Sequence, residues 1–292
     1  MNWYEEFGLQ VQLDVPLAPL TWFGLGGPAK FYILPRDLTQ LQTIVARLRQ
    51  EEIPIYVLGS GANLLVNDRG VNGAVICLNT PAFTATEING DTVRAGAGKD
   101  VQKLLLEVTQ AGLAGLECLA GIPGSVGGEI KINAGGMFGD IGSSVQTVTI
   151  MDTNGQLFTR EKDDLIFAYR QSNITTKFIL EATFSLSEDD PHRVMNKVKE
   201  IWMYKKNSQP LAEKSAGCIF KNPQGHAAGK LIDQSGLKGT TIGGAEVSTK
   251  HANFITAKKG ALAADVLALI ALCKERVKQK FDVDLETEVV IW

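Results

Sequence analysis

The chain has 292 residues, 45% apolar and 21% charged, with a formal net charge of −3. That balance belongs to an ordinary water-facing globular protein, lacks the basic footprint of a nucleic-acid binder, and leaves no apolar run long enough to span a membrane. The length admits one large domain or two or three smaller ones.

The opening residues, Met1-Asn2-Trp3-Tyr4-Glu5-Glu6, have neither a basic start nor an apolar core, so no signal peptide is expected. Cys77, Cys118, Cys218 and Cys273 form no C-x-x-C pair, which removes support for zinc or dithiol chemistry. Three of them lie in apolar runs and read as small core residues. Reduced thiols without an export signal predict a cytoplasmic protein. His192, His226 and His251 are far apart in sequence, so no metal site is expected.

In chain order, an irregular lead-in with Pro16 and Pro19 reaches a glycine-rich turn at 21–29, then a strand at 30–34. Asp37 with Gln40 three residues on is a helix start, and Leu38, Leu41, Ile44, Val45 and Leu48 repeat at helical spacing. An apolar strand over 53–58 runs into Gly59-Ser60-Gly61-Ala62-Asn63-Leu64. Glycines on either side of one small residue let successive N–H groups point inward, a nest suited to phosphate oxygens. A doubly wound dinucleotide site needs a long helix next. Here a turn at 67–70 follows almost at once, so the order is strand, glycine loop, short bridge, strand. A plain tight turn fits the G-S-G equally well.

Asn89-Gly90 centres a hairpin over 83–95. A helix starts at Asp100 and ends at Gly112. Over 121–142, eight of 22 positions are glycine. Flexible linkers are Ser-rich and polar, whereas here Ile122, Val126, Ile130, Ile132 and Met137 are interleaved, which predicts an ordered loop around a large flat ligand. A second hairpin turns at 152–155, and residues 178–186 alternate as a half-buried strand. A polar break at Glu188-Asp189-Asp190-Pro191 marks a domain boundary. Helices are predicted from Pro191 to about Lys206, over 227–234, and from Leu262 past Val277; a strand closes the chain at 285–292.

The order of five motifs is more specific than any one of them. G-S-G-A-N-L-L-V at 59–66, G-I-P-G-S-V-G-G at 121–128, Y-R-Q-S at 169–172, A-G-C-I-F-K-N-P at 216–223 and L-E-T-E-V at 285–289 together resemble the UDP-N-acetylenolpyruvoylglucosamine reductase family. The likeness runs from about Leu17 to Val290, and the short chain is similar to the compact type, which lacks the tyrosine loop that covers substrate.

The resemblance implies an α+β fold: an FAD-binding fold of the p-cresol methylhydroxylase/vanillyl-alcohol oxidase type with two subdomains, plus a smaller α/β substrate domain. The expected limits are 1–188 for the FAD-binding region (subdomains roughly 1–55 and 56–188) and 189–292 for the substrate domain, with a return of the last strand to the FAD region left open. It implies that Gly59, Ser60, Gly61, Ala62, Asn63 and Leu64 cradle the FAD pyrophosphate. Gly121, Ile122, Pro123, Gly124, Ser125, Gly127 and Gly128 would run along the cofactor. The implied reaction reduces a UDP-sugar enolpyruvyl ether to UDP-N-acetylmuramate for peptidoglycan precursor synthesis, with NADPH as hydride donor. Hydride reaches C3 from reduced FAD, negative charge builds at C2 beside the substrate carboxylate, and a proton must then reach C2.

By the same resemblance Arg170 binds the carboxylate, its planar fixed charge suiting the task, and Glu288 acts with it on the intermediate. Position 218 departs from the pattern: better-known members carry serine as the donor to C2, and this chain has Cys218. A free thiol of reference pKa about 8.5 is mostly protonated at neutral pH, so Cys218 is expected to be the general acid. Tyr169, Lys221, Asn222 and Gln234 are expected to contact substrate, with Lys206 and Gln209 as weaker candidates. The competing readings are another FAD oxidoreductase of this fold with a different small molecule, and a nucleotide-binding protein without flavin. No metal, nucleic acid or membrane partner is expected, and a monomer is the default.

Overall fold

The computed structural model describes Asn2–Trp292; Met1 lies outside the described residues. The chain divides into two compact units. One holds the residues up to Asp14, Lys30–Ser60 and Asn72–Tyr204; the other holds Val15–Ala29, Gly61–Val71 and Lys205–Trp292. The division passes inside the G-S-G loop, after Ser60, and again some way beyond the polar break at 188–190.

The chain opens with β1 (Val11–Pro16), β2 (Pro28–Ile33), α1 (Leu38–Gln50), β3 (Ile55–Leu58) and β4 (Val71–Cys77). These strands form one sheet in the order β1-β2-β4-β3, with β3 and β4 parallel. Asp37 caps α1 as its sequence predicts, accepting the N–H of Gln40 at 2.8 Å. Leu41, Ile44, Val45 and Leu48 turn inward against Phe31, Ile33, Ile55 and Ile76.

After β5 (Thr86–Asn89) and β6 (Thr92–Gly96) come α2 (Val101–Gln110), α3 (Val126–Lys131), β7 (Val145–Met151) and β8 (Leu157–Glu161). A tight pair, β9 (Phe167–Ala168) and β10 (Gln171–Ser172), precedes β11 (Phe178–Ser185) and α4 (Pro191–Ser208). A five-stranded sheet runs β8-β7-β11-β6-β5, all antiparallel. Its inward residues Val93, Ala95, Val148, Ala182 and Phe184 pack on Leu104, Leu105 and Val108 of α2 and on Val126 and Ile130 of α3. The hairpin expected over 83–95 is shorter than its sequence suggests. Pro81–Thr84 forms a helical turn instead, because Pro81 presets the first-turn φ and Phe83 gains a buried place there.

The second unit is built round α6. In chain order it holds α5 (Ala228–Gln234), β12 (Thr241–Ile242), β13 (Ala245–Val247), β14 (Ile255–Ala257) and α6 (Ala263–Phe281). The strands form one small sheet in that order. Val266, Leu269, Ile270, Cys273 and Val277 face Phe23, Leu65, Ile219, Phe220, Leu231 and Val247. Asp68 anchors the start of α6, its carboxylate accepting from Ala263 at 2.8 Å and Ala264 at 3.0 Å, where the helix dipole favours negative charge. The strand expected over 285–292 shrinks to Val290–Ile291, which pairs in parallel with Leu64–Leu65. Cys77, Cys118 and Cys273 are buried as expected, and Cys218 is half-buried.

Candidate active site

The G-S-G loop leaves β3 as a chain of free donors. Among the described residues, the N–H groups of Ser60, Gly61, Ala62 and Asn63 meet no acceptor. Buried backbone donors are nearly always paired, and Gly61 is buried. Gly61 also has φ 68°, and a Cβ on it would lie 2.1 Å from the carbonyl oxygen of Leu20. Only glycine fits that conformation and that contact. A run of consecutive N–H groups with no acceptor among the described residues fits the pyrophosphate of a dinucleotide cofactor.

The second glycine-dense stretch is ordered. Gln102 ties it down through three bonds: its amide donates to the carbonyls of Leu119 and Ile122 at 2.9 and 2.6 Å, and its oxygen accepts from Gly121 at 3.2 Å. Gly124 sits so close to Glu129 that a Cβ would fall 1.6 Å from Oε1. Ser125 then caps α3, its hydroxyl facing the N–H of Gly128 at 3.4 Å. Gly127 donates to Ala97 at 2.8 Å, locking the stretch to the end of β6. The sequence did not disclose α3, because three of its flanking and internal positions are glycine, which weakens helical periodicity.

Arg170 and Tyr169 form the two-residue tip of the β9–β10 hairpin, where Phe167 pairs with Ser172 and Ala168 with Gln171. The Arg170 guanidinium lies 5.3 Å from the centre of the Tyr169 ring. This hairpin belongs to the first unit.

Cys218 and Glu288 belong to the second. The segments carrying them run antiparallel, with Phe220 bridged to Thr287. The N–H groups of Glu288 and Val289 both turn to the carbonyl of Ile219, at 2.8 and 3.4 Å, a break in regular ladder spacing beside Cys218. Asn253, which nothing in the sequence singles out, grips this segment. It is buried; its Oδ1 accepts from Phe220 at 3.0 Å, its Nδ2 donates to the Phe220 carbonyl at 2.8 Å, and its own carbonyl accepts from Ile219 at 2.8 Å. On the other side, Asn63 Nδ2 donates to the Glu288 carbonyl at 3.1 Å.

The expected substrate contacts divide. Lys221 lies beside Cys218 in sequence and pairs with Glu286 at 2.6 Å. Asn222 accepts the N–H of Ala228 at 2.9 Å, holding the start of α5. Gln234 is exposed at the far end of that helix, about 9 Å along its axis at 1.5 Å per residue. No group of three or more His, Cys, Asp or Glu able to hold a metal occurs among the described residues. None of their helices is long and apolar enough to cross a membrane.

Residues 209–292 match the family described as UDP-N-acetylenolpyruvoylglucosamine reductase, C-terminal domain, and residues 29–160 match the FAD binding domain. A UDP-N-acetylenolpyruvoylglucosamine reductase of Clostridium botulinum is 39% identical over 302 aligned positions, covering 100% of this chain and 98% of its own. One of Listeria monocytogenes is 39% identical over 97% of this chain and 95% of its own. The crystal structure of the Thermus caldophilus reductase superposes with a TM-score of 0.84 at 36% identity, over 97% of this chain and 98% of that one.

Proposed function

The chain belongs to the UDP-N-acetylenolpyruvoylglucosamine reductase family, and on that premise we propose that it reduces the enolpyruvyl ether of a UDP-sugar with hydride drawn from NADPH. The observation that carries this reading is the row of unpaired N–H groups at Ser60–Asn63 in a chain whose flavin-domain match spans the same loop. Those donors would hold the FAD pyrophosphate, with the Gly121–Gly128 stretch lying along the cofactor. FAD held there would supply two-electron hydride chemistry between NADPH and the enolpyruvyl group.

The remaining work falls to side chains. Arg170 fixes the substrate carboxylate with a charge that persists at any working pH. As C3 gains hydride, the C2=C3 bond opens and its electron pair moves to C2, shared with that carboxylate. Arg170 and Glu288 stabilise this charge where it develops. The Cys218 thiol gives its proton to C2, completing addition of hydride and proton across the double bond, and the thiolate takes a proton back from water. Lys221 and Asn222, next to Cys218 in sequence, contact the sugar or phosphate.

Two measurements test the reading. Purified protein should carry flavin absorbance or regain it with FAD. It should also turn over NADPH beyond one equivalent per flavin only when the enolpyruvyl nucleotide is present, forming one lactyl ether for each further NADPH oxidised. Flavin binding without that activity would leave the fold and remove the substrate.

A further inference from the structure

Asn133 follows α3 with a left-handed backbone, φ 46°. The N–H of Ala134 reaches back to Glu129 at 2.8 Å. Asparagine is an accepted helix terminator in that conformation, and termination alone would let its side chain point to solvent. Here it is 3% exposed and both ends of the amide are engaged. Oδ1 accepts the N–H of Gly142 at 3.0 Å, and Nδ2 donates to the carbonyl of Ala168 at 3.0 Å. The partners fix which end is which, since an N–H needs an acceptor and a carbonyl a donor.

Ala168 is the last residue before the Tyr169–Arg170 tip. On the return strand, the Ser172 hydroxyl donates to the carbonyl of Lys131 at 2.9 Å. Both legs of the hairpin are therefore tied to the end of α3. There is no slack beneath it: a Cβ on Gly142 would lie 2.4 Å from Cγ of Phe167. Arg170 itself has φ 54°, a left-handed conformation that a non-glycine residue keeps only where its surroundings over-determine it.

We propose that Asn133 is a positioning residue for Arg170, its amide holding the hairpin so that the strained tip presents the guanidinium to the substrate carboxylate. This rests on the carboxylate role given to Arg170. The bond to Ala168 is the operative one, and the bond to Gly142 keeps the amide from turning over.

The test is Asn133→Asp, which tolerates the left-handed backbone, keeps an acceptor for Gly142 and replaces the donor with a carboxylate facing the Ala168 carbonyl. At alkaline pH, kcat/KM for the enolpyruvyl nucleotide should fall about a hundredfold, the scale of a 1 Å misplacement. The Kd of the same nucleotide, read by calorimetry on the resting protein, should rise in parallel. Burial raises a carboxyl pKa, so acidification should restore a donor and recover kcat/KM relative to wild type. Asn133→Gly, which relieves the backbone and removes both bonds, should show the loss without the recovery, and it serves if the Asp variant fails to fold.

Arg170→Ala separates the two layers. If it weakens binding and turnover, and Asn133→Asp adds less than about twofold to it as expected for coupled residues, the positioning role holds. If Arg170→Ala is harmful while Asn133→Asp is silent, additive or insensitive to pH, positioning is overturned and the role of Arg170 stands. If Arg170→Ala is silent, both fall.

Discussion

Asn63 and Glu288 are joined by a hydrogen bond, the Asn63 amide donating to the Glu288 carbonyl at 3.1 Å. The N–H of Val290 closes the link by donating to the Asn63 carbonyl at 3.1 Å. One end of the loop proposed to hold the FAD pyrophosphate is thus fastened to the backbone of the residue assigned to the developing negative charge. In Asn63→Ala the Glu288 carbonyl loses this bond, which costs about 0.5–1.5 kcal/mol. Denaturant unfolding should show that loss, and turnover should drop with it.

Asn253 has a comparable hold on the other side of Glu288, pairing with both backbone groups of Phe220. Asn253→Leu keeps the volume and strands a buried N–H and a buried carbonyl. We expect a loss of about 2–6 kcal/mol, the sum of two unsatisfied buried groups, seen as a lowered unfolding midpoint. Turnover should fall more than stability at working temperature explains, because the next residues back are Ile219 and Cys218.

Gly61→Ala should give protein that does not retain FAD. The new Cβ meets the Leu20 carbonyl oxygen at 2.1 Å, and φ is 68°. Gly90→Ala is the control: its φ is 62° and nothing lies within 4 Å of the added carbon. That variant bears only left-handed strain, about 1–2 kcal/mol, and should keep its flavin. Flavin absorbance per mole of protein reads both.

His251 gives the second unit a pH dependence. Burial, reinforced by the Lys238 charge, holds its imidazole below the ordinary histidine range, against an opposing backbone hydrogen bond. Nδ1 accepts the N–H of Asn253 at 3.2 Å, so the folded protein prefers the neutral ring. The unfolded chain takes up a proton near the ordinary value of about 6.5. The site's contribution is therefore complete above that pH and lost as pH falls toward the lower folded value. Between about pH 7 and pH 5, the unfolding midpoint of wild type should decline more steeply than that of His251→Leu.

Much of this was legible in the chain. Asp37, Asp100 and the Asn89-Gly90 turn announce themselves because capping and tight turns depend on side chains within four residues. The G-S-G loop was legible as a candidate nest for the same reason, and its motif order pointed to the family. Other features depended on distance. Asn253 lies 33 residues from Phe220, and Asn63 lies 225 from Glu288; no periodicity encodes such pairs. The terminal segment looked like a long strand from its alternation, yet only Val290–Ile291 finds a ladder partner in Leu64–Leu65. Strand length is set by the partner available, and local sequence does not contain it.

The central claim is that the thiol of Cys218 delivers the proton to C2. The direct measurement is reoxidation of the reduced, FAD-loaded enzyme by the enolpyruvyl nucleotide in single turnover. Cys218→Ala should slow that step by about 10²–10⁴-fold, the range for a lost general acid, and Cys218→Ser should retain substantial rate. Reoxidation by Cys218→Ala at the wild-type rate would contradict the account.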